Sequence, residues 1–374
     1  CYLYDVPLTL RGSGTGNYGQ CVPLEGGAVM LMDNFKEILD FDSLTGEVTV
    51  QPGCLLGNLD NYLASKGRQL RLIPSTWRSS SVGGFIAGGS GGIGSVKWGF
   101  LRDPGHLKAL EIVTLEEDPK LIRLDELESE PLNHAYGTNG IITSLTLATA
   151  TFQEWYEVTI DCDKFCDAIK LIKYCSSAAI EIYLCTLLEK KIIESIPNWS
   201  GDANGKFRLL VLTSLSGVNT LKRISCSYNA IFRDFGKENS SNGFRELSWN
   251  HTTLHMRSKD NSWTYLQMLL PEPELEAIEF LNKRWKDEIL WHLESVRQHG
   301  AQRIAALPLF RWKDKESLDN LIEDCKKTGA VIFNPHVITV EDGGLGIIDS
   351  DQVEAKRNFD PKGLLNPKKL KGWK

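Results

Sequence analysis

The chain has 374 residues, 42% hydrophobic and 24% charged, an ordinary composition for a folded protein and enough apolar material for two or three domains, or one large domain with an insertion. The formal net charge is −6, and the one basic run is the terminal Pro367-Lys368-Lys369-Leu370-Lys371, expected to be a solvated chain end, so nucleic acid is excluded as a partner. No stretch reaches the ~20 apolar residues of a membrane helix, so no membrane span is expected.

Nine cysteines are scattered without paired spacing, which points to reduced thiols and a cytoplasmic setting. The opening Cys1-Tyr2-Leu3-Tyr4 reads as the middle of a folded domain. An N-terminal part is therefore expected to precede it, and any organellar or membrane-peripheral address would lie there.

Residues 1–150 are rich in glycine and short β-patterned runs at 29–32, 47–50 and 110–114, each followed by turn chemistry. A helix is predicted over 56–66, where Leu56, Leu59, Tyr62 and Leu63 recur at helical spacing and Gly67 ends it. From 151 to about 335 longer helical patterns appear at 164–174, 219–235, 274–290 and 315–328. They alternate with strand-like runs at 207–213 and 263–269, which reads as an α+β domain with one antiparallel sheet and helices on one side. The tail ends in Asp360-Pro361-Lys362-Gly363-Leu364-Leu365-Asn366-Pro367, turn chemistry of high density.

Three glycine-rich segments carry the chemistry. The first, Arg11-Gly12-Ser13-Gly14-Thr15-Gly16-Asn17-Tyr18-Gly19, lets successive backbone N–H groups converge on an anion. Its Gly14, Gly16 and Gly19 fit G-x-G-x-x-G, but Pro23 and the Gly26-Gly27 pair forbid the helix that a dinucleotide-binding Rossmann turn must open. The second runs from Pro74 to Gly99, through Ser81-Val82-Gly83-Gly84, Gly88 and Gly91, and eight of its residues are glycine. So much ordering entropy calls for a compensating ligand against the backbone. The third is Tyr136-Gly137-Thr138-Asn139-Gly140-Ile141-Ile142-Thr143, where glycines lead into a β-branched strand.

In this order and spacing the segments resemble the FAD-linked oxidases and dehydrogenases of the vanillyl-alcohol oxidase / p-cresol methylhydroxylase (PCMH) type. The first is similar to their R-G-x-G-T-G loop and the second to their P-x7-G-G loop, here with eight residues between Pro74 and Gly83, with the following W-G-x-x-R-D, here Trp98 to Asp103. The third is similar to G-x-x-G-I-I-T, and the tail to D-P-K-G-L-L-N-P. The resemblance implies an α+β fold. A PCMH-type FAD-binding domain of two α+β subdomains would occupy 1–150, an inserted substrate or cap domain with antiparallel sheet and helices 151–340, and 341–374 would return to the FAD domain. It implies cofactor contacts at Arg11, Gly12, Ser13, Gly14, Thr15, Gly16, Pro74, Ser81, Val82, Gly83, Gly84, Gly88, Gly91, Gly140, Ile141, Ile142 and Asn366. Members with covalent flavin carry a His in the first loop; Thr15 stands there, and the second loop has no Cys, so the FAD is expected to be non-covalent.

The activity so implied is oxidation of a C–OH group in a small polar, hydroxylated substrate by hydride transfer to flavin N5, with electrons passed on to an acceptor the sequence does not specify. A 2-hydroxy acid such as lactate or glycolate is the first reading. A sugar or alditol, or a flavin-binding accessory protein without oxidase chemistry, are the alternatives. Candidate catalytic groups lie in Trp249-Asn250-His251-Thr252-Thr253-Leu254-His255-Met256-Arg257 and Asn334-Pro335-His336, with His336, His251 and His255 as bases and Arg257 as a carboxylate clamp. His106, His134, His292 and His299 are expected to serve packing. Hydroxy-acid dehydrogenases of this type bind a metal through H-x-G-D-G-N-x-H and E-H-G; the first is absent and Asp342 replaces the His of the second, so no metal is expected.

Overall fold

The computed structural model describes residues 1–177, 179–197, 199, 206–239 and 243–373. The chain divides into two compact units: residues 1–91, 100–152 and 335–374 form the first, and residues 92–99 and 153–334 the second.

In the first unit the strand Leu8–Arg11 runs parallel to Ala28–Leu31. A separate antiparallel sheet is ordered Ile38–Phe41, Glu47–Val50, Ile141–Thr151, Leu107–Val113, Leu121–Leu124. The helix Leu56–Ser65 ends as the spacing predicts, with Gly67 at φ +70° after its last turn. A small apolar cluster of Leu8, Met32, Leu115, Ile141, Leu364 and Leu365 sits between the parallel pair and the C-terminal segment.

That segment is fixed by charge. The Nζ of Lys356 donates to Oδ2 of Asp360 at 2.7 Å and to the carbonyls of Thr138 and Leu365 at 3.0 Å each. Asp360 accepts in turn from the N–H groups of Leu364 and Leu365 at 3.0 and 2.7 Å. Both side chains are buried, so the ion pair has no water to fall back on.

The second unit is built on an eight-stranded sheet ordered Ile231–Lys237, Tyr156–Cys162, Phe207–Thr213, Ile182–Glu189, His292–Gln298, Ala301–Ala306, Gln267–Leu269, Val331–Phe333. Its strand pairs are antiparallel. The α+β class and the antiparallel sheet read from the sequence are therefore borne out.

Three predicted elements need correction. The helix expected over 219–235 is a helix at Leu215–Ser227 followed by the strand Ile231–Lys237; Asn229, at φ +51°, takes the left-handed turn that stops it. The helix expected over 274–290 ends at Trp285, with Lys286 at φ +48°, before the strand Ile289–Leu290. The single strand expected over 263–269 is two, Trp263–Tyr265 and Gln267–Leu269, in different sheets. The lysine-rich tail also departs from expectation: Lys369 is completely buried.

Replacing Asp360 with Asn keeps its shape and strands the Lys356 ammonium. We expect D360N to lose about 3–5 kcal/mol of stability in the first unit, read as a lower urea midpoint. An unchanged midpoint would show that the pair contributes nothing.

Candidate cofactor site

The first glycine loop leaves the sheet directly after Arg11. Gly14 takes φ +68°, a conformation that side chains resist. A Cβ there would stand 2.5 Å from Nη2 of Arg11, so the guanidinium lies across the loop. A Cβ on Gly12 would come within 2.3 Å of the Ser81 hydroxyl. That hydroxyl accepts from the N–H of Ser13 at 3.4 Å and from the N–H of Gly84 at 3.3 Å, capping the helix Val82–Gly88. The Thr15 hydroxyl is 2.8 Å from Oγ of Ser80, which is 2.6 Å from Oγ1 of Thr76.

The helix Val82–Gly88 turns two glycines toward the loop, one turn apart. Gly12 lies against Gly84, and the Gln20 side chain against Gly88, with Nε2 of Gln20 donating to the Gly88 carbonyl at 3.3 Å. Gly83 faces the other way: a Cβ on it would sit 2.4 Å from Cβ of Pro52. The N–H groups of Val82 and Gly83 donate to the carbonyls of Cys54 and Pro52 at 2.8 Å each, so the start of this helix is already spent. Pro74 is likewise engaged, its carbonyl accepting from Trp77 at 3.0 Å. Gly91 is half-buried at the end of the first unit's segment.

The loop itself is different. Gly14, Thr15 and Gly16 are exposed, and among the described residues their N–H groups find no acceptor. A run of unspent N–H groups with a guanidinium across it is suited to a diphosphate. The residues present therefore fit the FAD that the resemblance implies.

Behind the loop, Gly140 takes φ +146°, and a Cβ there would meet Cδ1 of Ile112 at 3.0 Å. Ile141 and Ile142 pair with Val113 and Ile112 and are buried. The sequence places Asn366 among the cofactor contacts; in the structure both amide hydrogens are used, by the carbonyls of Gln20 and Tyr136 at 2.7 Å each. Asn366 thus holds the loop from behind. His134 is bound to the Gly89 carbonyl through Nδ1 at 2.9 Å, and burial lowers its pKa, an effect the Gly89 bond opposes.

Of the catalytic candidates, His251, His255 and Arg257 lie on one helix of the second unit, His251–Lys259, while His336 belongs to the first. Nδ1 of His251 is 3.0 Å from the Glu246 carbonyl, which fixes the tautomer with the proton on Nδ1 and leaves Nε2 as an acceptor. Burial lowers the pKa of His251, against that hydrogen bond and the Glu246 charge. Burial also lowers that of His255, helped by His251 and Lys259. Arg257 and His336 are exposed. Glu341 and Asp342 are committed elsewhere. The Glu341 carboxylate accepts the N–H groups of Lys371 and Gly372 at 2.9 Å each, and Asp342 pairs with Lys371 at 2.5 Å.

The sequence reading missed one network in the second unit. Oε1 of Glu294 accepts from Nε2 of His292 and from the N–H of Trp249 at 2.7 Å each, and Oε2 from the Thr186 hydroxyl at 2.6 Å. Nδ1 of His292 is 2.7 Å from the Thr252 hydroxyl. Trp249 is held at φ +51°, an outlier for so bulky a residue, immediately ahead of the His251 helix. The signal was the polar alternation His292-Leu293-Glu294, two ionisable residues on one face of a buried stretch of strand.

The FAD binding domain family matches residues 1–125. Those residues are similar to an FAD-binding domain. The resemblance to the PCMH type is borne out there. Glycolate oxidase subunit GlcD of Bacillus subtilis is 36% identical over 118 residues, 32% of this chain and 25% of the relative. The Escherichia coli (strain K12) subunit of the same name is 33% identical over 129 residues, 34% of this chain and 26% of the relative. A probable mitochondrial D-2-hydroxyglutarate dehydrogenase of Oryza sativa subsp. indica is 26% identical over 215 residues, 53% of this chain and 38% of the relative. The chain thus spans about a quarter of the length of the two glycolate oxidase subunits. Among solved structures, an alkyldihydroxyacetonephosphate synthase shares the fold, with TM-score 0.71 at 16% identity, over 98% of this chain and 72% of that one.

A methyl group on Gly12 has no room beside Ser81. We expect G12A to weaken FAD binding by about tenfold or more, measured by titrating flavin-free protein and following fluorescence quenching. Affinity equal to the parent would contradict the close approach of loop and helix.

Proposed function

We propose that the protein is an FAD-dependent oxidoreductase that oxidises the C–OH group of a small 2-hydroxy acid, with the FAD held non-covalently. The observation that carries the reading is the exposed loop Gly14–Gly16, with its unspent N–H groups, inside a domain of the FAD-binding family. The names of the glycolate oxidase and D-2-hydroxyglutarate dehydrogenase relatives favour a hydroxy acid over a sugar. Non-covalent binding is supported by a first loop that carries no histidine or cysteine. The nine free cysteines support a cytoplasmic setting.

FAD, when bound, supplies the two-electron acceptor at its N5. The chain must orient the substrate and remove the hydroxyl proton as the carbon gives up hydride and the C=O bond forms. We assign proton removal to Nε2 of His251, because its tautomer is fixed by Glu246 and burial keeps it neutral. Arg257, exposed on the same helix, is the candidate partner for the substrate carboxylate.

Anaerobic mixing with glycolate, lactate or D-2-hydroxyglutarate should bleach the flavin band near ~450 nm. If none of the three bleaches it while an alditol does, the sugar reading takes over. H251Q should bind FAD normally and lower kcat by roughly 10²–10⁴. A normal rate in H251Q with a lost rate in a His336 variant would move the base. Burial lowers the His251 pKa, so its neutral form persists below the ordinary value of ~6.5. The rate should accordingly be flat near neutrality and fall only on the acid side. A fall beginning above pH ~7 would exclude His251.

A further inference from the structure

Two lysines near the end of the chain, Lys356 and Lys369, are completely buried, and their surroundings differ. Lys356 is saturated, with Asp360 and two carbonyls around its ammonium. The Nζ of Lys369 donates to a single group, the carbonyl of Gly19 at 2.7 Å. Among the described residues no carboxylate and no second acceptor reaches it. A buried ammonium without a counter-charge is destabilising unless something absent from the chain compensates it.

The position of that carbonyl says what the compensation is. Gly19 closes the loop whose Gly14, Thr15 and Gly16 N–H groups are unspent. The main chain of Lys369 is itself pinned, its carbonyl accepting from the N–H of Val340 at 2.8 Å, so the side chain cannot withdraw cheaply. We propose that Lys369 is the buried counter-charge of the FAD diphosphate, acting from behind the loop while Arg11 acts from its solvent side. Burial depresses the Lys369 pKa, Cys21 opposing, as befits a cation waiting for an anion. This inference rests on the FAD-binding assignment of residues 1–125 and is independent of the oxidation reaction.

The full chain, stripped of flavin, tests it with K369M and K369Q. Met removes the charge and the hydrogen bond; Gln removes the charge and keeps a donor for Gly19. Both should weaken FAD by about tenfold or more. The loss should be similar at ~0.05 M and ~1 M salt, because a buried charge is screened little, whereas the loss in R11M should shrink at high salt. The flavin-free K369M should melt at the parent temperature or above it, since an uncompensated charge has gone. Unchanged FAD affinity in either variant overturns the proposal, and so does failure of both variants to fold without flavin. Oxidation of a hydroxy acid is not read at any point, so failure of that activity leaves this result intact.

Discussion

The side-chain amide of Asn366 is the joint on which the first unit depends. Its two hydrogens are shared between the carbonyls of Gln20, at the end of the first glycine loop, and Tyr136, at the start of the third segment. Its backbone N–H donates to Leu8 at 2.8 Å, and Oδ1 lies 3.5 Å from the Thr9 hydroxyl. One residue therefore ties the parallel strand, the loop that leaves it and a segment more than a hundred residues later to the end of the chain. A loop of glycines has no core of its own and must borrow rigidity from such contacts. Because the fastening is done from behind, the N–H groups on the open side stay unspent, and an anion can use them.

The same economy appears in how the charged groups of the tail are used. Lys356, Asp360, Glu341 and Lys369 are all buried, and each grips backbone groups. Glu341 closes on two consecutive N–H groups, so the acidic pair that a sequence reader would weigh as a metal ligand or base is a clasp for the chain end. In the second unit the Glu294–His292–Thr252 chain does a comparable task, fixing the strained Trp249 ahead of the helix that carries His251. Buried polar networks of this kind specify one arrangement at the expense of stability.

The glycine loops were legible because they break every local rule for a core element, and only a ligand or a close backbone approach explains them. The structure separates those two reasons, which the sequence merges: Gly14–Gly16 are open, while Gly12, Gly83, Gly84 and Gly88 exist so that loop, helix and Pro52 can touch. The antiparallel sheet was legible from short apolar runs. The stop at Asn229 was not, because an Asn in the left-handed region ends a helix without disturbing the apolar spacing. The burial of Lys369 was invisible for a related reason: composition marks a lysine run as solvated, and only the fold reveals which member points inward.

That residues 1–125 hold FAD is tested by the visible spectrum of the purified chain before and after acid precipitation. Flavin bands near ~370 and ~450 nm should leave the pellet entirely, with about one FAD recovered per chain. A colourless protein that takes up no added FAD would contradict it.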